Sequence, residues 1–95
     1  MYSEQAPEFE TVETGNGRVK EEIASFLQSN GLGIDKDIEQ FVIARYNRQL
    51  VACAGLAGNT LKCIAVEKAW RGTSLGLKII HEAELLAMQN GEHQL

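Results

Sequence analysis

The 95-residue chain has no apolar run near the roughly 20 residues that a membrane span needs, and no cluster of basic side chains. Its 9 lysines and arginines are scattered among 13 acidic residues, which leaves a formal charge of −4. Non-specific nucleic-acid affinity comes mainly from clustered cations that displace counterions, so this balance argues against a nucleic-acid partner. The first residues, MYSEQAPEFE, have neither the basic flank nor the apolar segment of a signal peptide. A cytoplasmic protein with no membrane partner is the expectation. Two common phosphate loops are also missing: no Gly-Lys-Ser/Thr follows a four-residue spacer, and no three glycines stand at dinucleotide-binding offsets. Nowhere do His, Cys and carboxylate residues adopt metal-ligand spacing, so no metal site is expected. Internal repeats and low-complexity segments are absent, and a 44% hydrophobic content suits one domain with a single modest core.

Cysteine is scarce as well, but both copies fall in neighbouring expected strands, Cys53 and Cys63. A two-residue loop at Gly58-Asn59 pairs Ala57 with Thr60 and sends the thiols to opposite faces. A three-residue loop would set them across from each other, within reach of a disulfide. The two-residue loop with free, buried thiols is favoured, since a cytosolic chain is kept reduced.

What is present is a readable order of elements. Residues 1–7 read as a flexible tail and 8–95 as one domain. EFETVET (8–14) suits a short edge strand closed by Gly15, Asn16 and Gly17. From Arg18 to Ser29, Val19, Ile23, Phe26 and Leu27 form one helical stripe, and Asn30-Gly31 supplies a left-handed stop. IEQFVIARY (38–46), LVACAGLA (50–57) and TLKCIAV (60–66), separated by Asn47-Arg48 and Gly58-Asn59, form an antiparallel meander. The last helix spans 74–90 and is stopped by Gly91. Leu75, Ile79, Ala83 and Leu86 centre its buried face, with Gly76, Ile80 and Ala87 beside them. Leu77, Leu85 and Met88 fall outside that face and point to a second contact surface. The layout is α+β. A strand followed by a long helix normally returns to a parallel neighbour, and the chain ends where that strand would start. The fold is therefore expected to lack its C-terminal part, leaving TLKCIAV with an unpaired edge that promotes self-association.

The stretch KCIAVEKAWRGTSLGLKII (62–80) joins the last strand to that helix. Within it, Arg71-Gly72-Thr73-Ser74-Leu75-Gly76 places first-turn amides, which have no carbonyl partners, at the positive end of a helix dipole. A phosphate or pyrophosphate suits that charge. Gly72 and Gly76 allow close backbone approach, and Arg71 and Lys78 add charge-assisted contacts. The plainer alternative makes Gly72 a turn residue, Thr73 or Ser74 an N-cap, and Gly76 a packing glycine. Glu67 is a weak candidate general base against the plainer role of solvated loop carboxylate, and the catalytic residues are otherwise unassigned. Cys63 lies beside the groove but has no activating base. His81 projects away from the core, His93 is terminal, and Tyr46 belongs to an earlier strand.

The order strand, Arg-Gly-x-x-Leu-Gly-x-x-Ile, helix resembles the coenzyme A pyrophosphate loop of the GNAT N-acetyltransferases, Gln/Arg-x-x-Gly-x-Gly/Ala. Arg71 and Gly76 match its first and last positions, and Ser74 replaces the central glycine. A narrower resemblance covers almost the whole chain. VACAGLAGNTLKCIAV, RGTSLGLKI and HEAELLAMQNG are similar to the N-terminal domain of the citrate lyase ligases, the run from Ala57 to Ala65 being the most specific part. Where Ala54 stands, that family more often has glycine.

This resemblance implies a GNAT-like fold and a cofactor loop made by Arg71, Gly72, Thr73, Ser74, Leu75, Gly76, Leu77 and Lys78. It implies a coenzyme-A-type ligand, acetyl-CoA or a dephospho-coenzyme A derivative, and the citrate lyase acyl carrier subunit as partner. ATP enters only through a C-terminal nucleotidylyltransferase-like domain with a His-x-Gly-His motif, which this chain lacks. Two other readings stay open: an independent N-acetyltransferase acting on an amine, and a non-catalytic interaction module.

Overall fold

The computed structural model describes residues 6–15 and 17–92. Expectations for residues 1–5, Asn16 and 93–95, including most of the tail, His93 and the start of a further strand, lie outside the described residues.

Four strands, β1 (Glu8–Glu13), β2 (Gln40–Tyr46), β3 (Gln49–Ala57) and β4 (Thr60–Val66), form one antiparallel sheet in the order β1-β2-β3-β4. Helix α1 (Gly17–Ser29) connects β1 to β2. A short 3-10 turn (Lys68–Trp70) and helix α2 (Leu75–Glu92) follow β4. The expected short strand at 8–14 is β1, which extends the meander to four strands.

The two helices cover opposite faces of the sheet. Along β2 the side chains alternate, with Phe41 and Ile43 meeting Ile23 and Leu27 of α1 while Val42 and Ala44 meet Leu75, Ile79 and Ala83 of α2. Because β2 and β3 are covered on both faces, their sequences are nearly continuous apolar runs. Both turns of the meander have two residues. Asn47 and Arg48 take φ values of 52° and 68°, and Gly58 takes 65°, the left-handed conformations that suit the twist of a tight hairpin.

Two bulges break the regular register of β3. Ala44 pairs with Ala52 but Arg45 with Leu50, so Val51 is the extra residue on β3. On its other side Gly55 pairs with Lys62 but Cys53 with Ala65, so Cys63 and Ile64 of β4 together oppose Ala54. Cys63 occupies this second bulge with φ 55°.

The second bulge corrects the expectation for the cysteines. The loop is the two-residue one, with Ala57 opposite Thr60. The extra residue then turns Cys63 toward the α1 face, where it packs on the same cluster that contains Cys53. Both thiols are free, but only Cys53 is buried, Cys63 being half-buried. Burial, with Cys63 nearby, pushes the Cys53 thiol up to about 12. Cys53 donates to the Cys63 carbonyl at 3.5 Å, and Cys63 to the Gly33 carbonyl at 3.3 Å.

A second correction concerns Gly91, which does not stop α2. The helix runs through it to Glu92, and Gly91 is not among the residues with positive φ. Glycine in a helix costs only about 1 kcal/mol against alanine, and it ends a helix when the chain turns left-handed there.

Charged side chains fasten the layers together. Arg45 reaches Glu22 of α1 at 2.6 and 2.7 Å and Glu10 of β1 at 3.4 Å. Lys62 of β4 meets Asp37 at 2.9 Å and Asp35 at 3.6 Å in the loop before β2. The outer edge of β4 has no strand partner among the described residues.

Two measurements test this packing. A Cβ at Gly55 would stand 2.8 Å from Ile38 Cδ1 and 3.0 Å from Phe41 Cε1, inside the buried α1 layer. Gly55→Ala is therefore expected to lower stability by about 1 to 3 kcal/mol in a denaturant melt, and an unchanged midpoint would refute this packing. The bond from Arg45 holds the Glu22 carboxyl below its ordinary value of 4.5. A carboxyl lowered by folding contributes stability above its unfolded value and loses it as the pH falls through the folded value. Glu22→Gln should accordingly flatten the acid limb of stability below about pH 4.5, and parallel acid limbs for the two proteins would count against the pair.

Candidate functional site

The segment between β4 and α2 is built by short local bonds. As β4 ends, the Glu67 amide donates to the carbonyl of the bulged Val51 at 2.7 Å, which fixes where the loop leaves the sheet. The Glu67 carboxylate then accepts from the Ala69 amide at 2.7 Å and caps the 3-10 turn. That turn is closed by the Trp70 amide on the Glu67 carbonyl at 2.8 Å, and the Arg71 amide reaches the Lys68 carbonyl at 3.2 Å. Gly72 takes φ 86°, a left-handed conformation that favours glycine and swings the chain toward α2.

Thr73 and Ser74 open the helix together. The Thr73 hydroxyl donates to the Trp70 carbonyl at 2.6 Å and accepts from the Leu75 amide at 3.2 Å. The Ser74 carbonyl accepts the Lys78 amide at 3.1 Å. This leaves the amides of Gly76 and Leu77 in the first turn, without carbonyls four residues back in the helix, at its positive end. Helix-to-sheet packing does not demand glycine at 76: an added Cβ would meet only Val66 Cγ2, at an ordinary 3.7 Å.

The expected residues divide into two groups. Thr73, Ser74, Leu75 and Lys78 line one small hollow of about 60 Å³ together with Pro7 and Trp70. The Leu75 side chain is buried beneath it, whereas the Leu77 side chain stands out in solvent. Arg71 turns the other way. Its Nε donates to the Val66 carbonyl at 3.1 Å and a terminal nitrogen to Asn30 Oδ1 at 2.8 Å. Asn30 in turn donates to the Phe26 carbonyl at 2.8 Å near the end of α1, so Arg71 braces the loop against that helix. Lys78 makes no side-chain hydrogen bond or ion pair among the described residues.

Glu67 is committed as a cap, His81 is exposed on α2, and Cys63 is turned toward Gly33. Among the described residues no group of three or more His, Cys, Asp and Glu side chains could hold a metal ion. No helix among them is long and apolar enough to cross a membrane. Sequence reasoning missed Trp70, whose ring meets that of Tyr46 edge-on at 5.0 Å and forms one wall of the hollow. The sequence marks Asn30 only as part of the stop of α1, and no local signal points to its bond with Arg71.

No family model matches the chain. Curated relatives do. The chain is 40% identical over 76 residues to a [citrate [pro-3S]-lyase] ligase of Klebsiella pneumoniae, covering 80% of this chain and 22% of that protein. It is 36% identical over 81 residues to the ligase of Escherichia coli, covering 85% and 23% respectively. With the Haemophilus influenzae ligase it shares 44% identity over 66 residues, 68% of this chain and 20% of that protein. The chain thus spans about a fifth of the length of these relatives. A crystal structure of a GNAT-family acetyltransferase from Staphylococcus aureus superposes with a TM-score of 0.64 at 22% identity, covering 88% of this chain and 69% of that one. Likeness at that identity concerns the fold, and it agrees with the α+β arrangement of the sheet and the two helices described above. This chain therefore has the fold of the GNAT acetyltransferases and is, over most of its length, a relative of the citrate lyase ligases.

Proposed function

We propose that the β4–α2 loop recognises the pyrophosphate of a coenzyme-A-type arm. In this reading the arm is the dephospho-coenzyme A derivative of the citrate lyase acyl carrier subunit, presented for ATP-dependent acetylation of its thiol. The carrying observation is the left-handed turn at Gly72, which delivers the chain into a helix whose Gly76 and Leu77 amides have no intrahelical partners.

The division of labour between the two cations sharpens the proposal. Arg71 is already spent on Val66 and Asn30, so its role is to hold the loop. Lys78, one turn into α2 and beside Thr73 and Ser74, is the cation left for an anionic ligand. Ser74 at the position of the family's central glycine adds a side chain near the approach, which reduces affinity. Affinity is expected at roughly micromolar to millimolar, about 4 to 8 kcal/mol. ATP chemistry belongs elsewhere in the ligase: this chain has no His-x-Gly-His run in its sequence.

Titration with coenzyme A or dephospho-coenzyme A should shift the amide resonances of Thr73 to Leu77. Shifts confined to other residues would remove the proposal. Lys78→Ala is expected to weaken that binding about three- to tenfold, more at low salt than at high salt. Arg71→Ala should instead lower the melting temperature through loss of two hydrogen bonds, a cost of about 1 kcal/mol. Equal effects of both substitutions on melting, with none on binding, would show that the cations do not divide in this way.

A further inference from the structure

The outward face of α2 carries a self-complementary arrangement that the loop chemistry does not use. Leu77, Leu85 and Met88 are 75%, 41% and 63% exposed, and with His81 they form one stripe opposite the buried Leu75, Ile79 and Ala83. Exposed apolar residues scattered singly are ordinary, but three on one helical line are a contact surface. Its two ends differ. At the N-terminal end Leu77 projects as the most exposed large apolar side chain among the described residues. At the C-terminal end Met88, Ala87, Glu84 and Gly91 of α2, with Leu61 and Asn59 of the β3–β4 hairpin, line an open hollow of about 510 Å³. Leu77 and Met88 are about 16 Å apart along the axis.

We propose that α2 pairs antiparallel with α2 of a second copy of this chain, each Leu77 entering the other's hollow beside Met88. A two-fold axis makes such a contact closed, because the projection and the hollow lie on the same face of one helix. Polar complementarity favours this orientation, since an imidazole N–H can donate to a carboxylate. His81 occupies the half of the stripe that holds Leu77, and Glu84 borders the hollow. With Leu77 opposite Met88, His81 stands opposite the second copy's Glu84, whereas parallel helices would align like with like. A contact over three helical turns is smaller than the roughly 800 Å² per partner of a standard interface, so the pair is a reversible, concentration-dependent dimer.

Sedimentation of the 95-residue chain over a wide concentration range tests the pairing. The chain should pass from monomer to dimer, and Leu85→Gln with Met88→Gln, both at exposed positions, should raise the dissociation constant at least about tenfold. His81→Glu alone and Glu84→Lys alone should each weaken the dimer, and the two combined should restore it. A chain that stays monomeric throughout overturns the proposal. So does self-association that all of these substitutions leave unchanged, which would place the contact elsewhere, at the outer edge of β4. Thermal melts of the dilute variants, expected to match the parent, separate lost pairing from lost folding.

Discussion

The rest of the structure depends on β3 being buried on both faces and hydrogen-bonded along both edges. Only a run without charge tolerates that position, and LVACAGLA supplies one. Its register against each neighbour adjusts at a bulge, one on β3 itself at Val51 and one on β4 at Cys63 and Ile64. The extra residue at Val51 leaves a carbonyl to receive the Glu67 amide, so the exit of the chain from β4 is set from the middle of the sheet. The position of the α2 N-terminus is inherited from that one bond and from the capped 3-10 turn that follows it.

The same economy governs the charges. Arg45 joins α1, β1 and β2, Lys62 joins β4 to the loop before β2, and Arg71 joins the β4–α2 segment to the end of α1. Each lies at a surface where water weakens it, and such pairs typically contribute less than about 1 kcal/mol. Their effect is geometric: they select which loop lies against which helix, while burial of Phe41, Ile43, Leu27 and Ile79 supplies the driving force.

Most of the fold was legible in the sequence because its signals are local. The Gly58-Asn59 turn, the α1 stripe and the buried face of α2 depend on spacings of a few residues, and β4 begins and ends at the expected positions. The bulges were not legible. Within LVACAGLA and TLKCIAV an added residue leaves the pattern apolar, so nothing marked the slip that carries Cys63 to the face of Cys53. The candidate loop shows the same division. Its left-handed glycine, its cap and its placement at a helix start could be read from Arg71 to Gly76, whereas the pairing of Arg71 with Asn30 spans 41 positions and no local rule reaches that far.

The left-handed backbone at Cys63 inverts the usual residue preferences at one point in β4. Valine and isoleucine suit the strand on either side, but a β-branched side chain is strongly disfavoured where φ is 55°. Glycine, which weakens a strand elsewhere, carries no steric penalty there, and asparagine little. A substitution scan along β4 would read as strand except at this site, where tolerance would follow the rules of a turn. Residue 63 is thus constrained by the shape of the chain and not by its thiol, and the cysteine found there is a small side chain accepted at a costly angle.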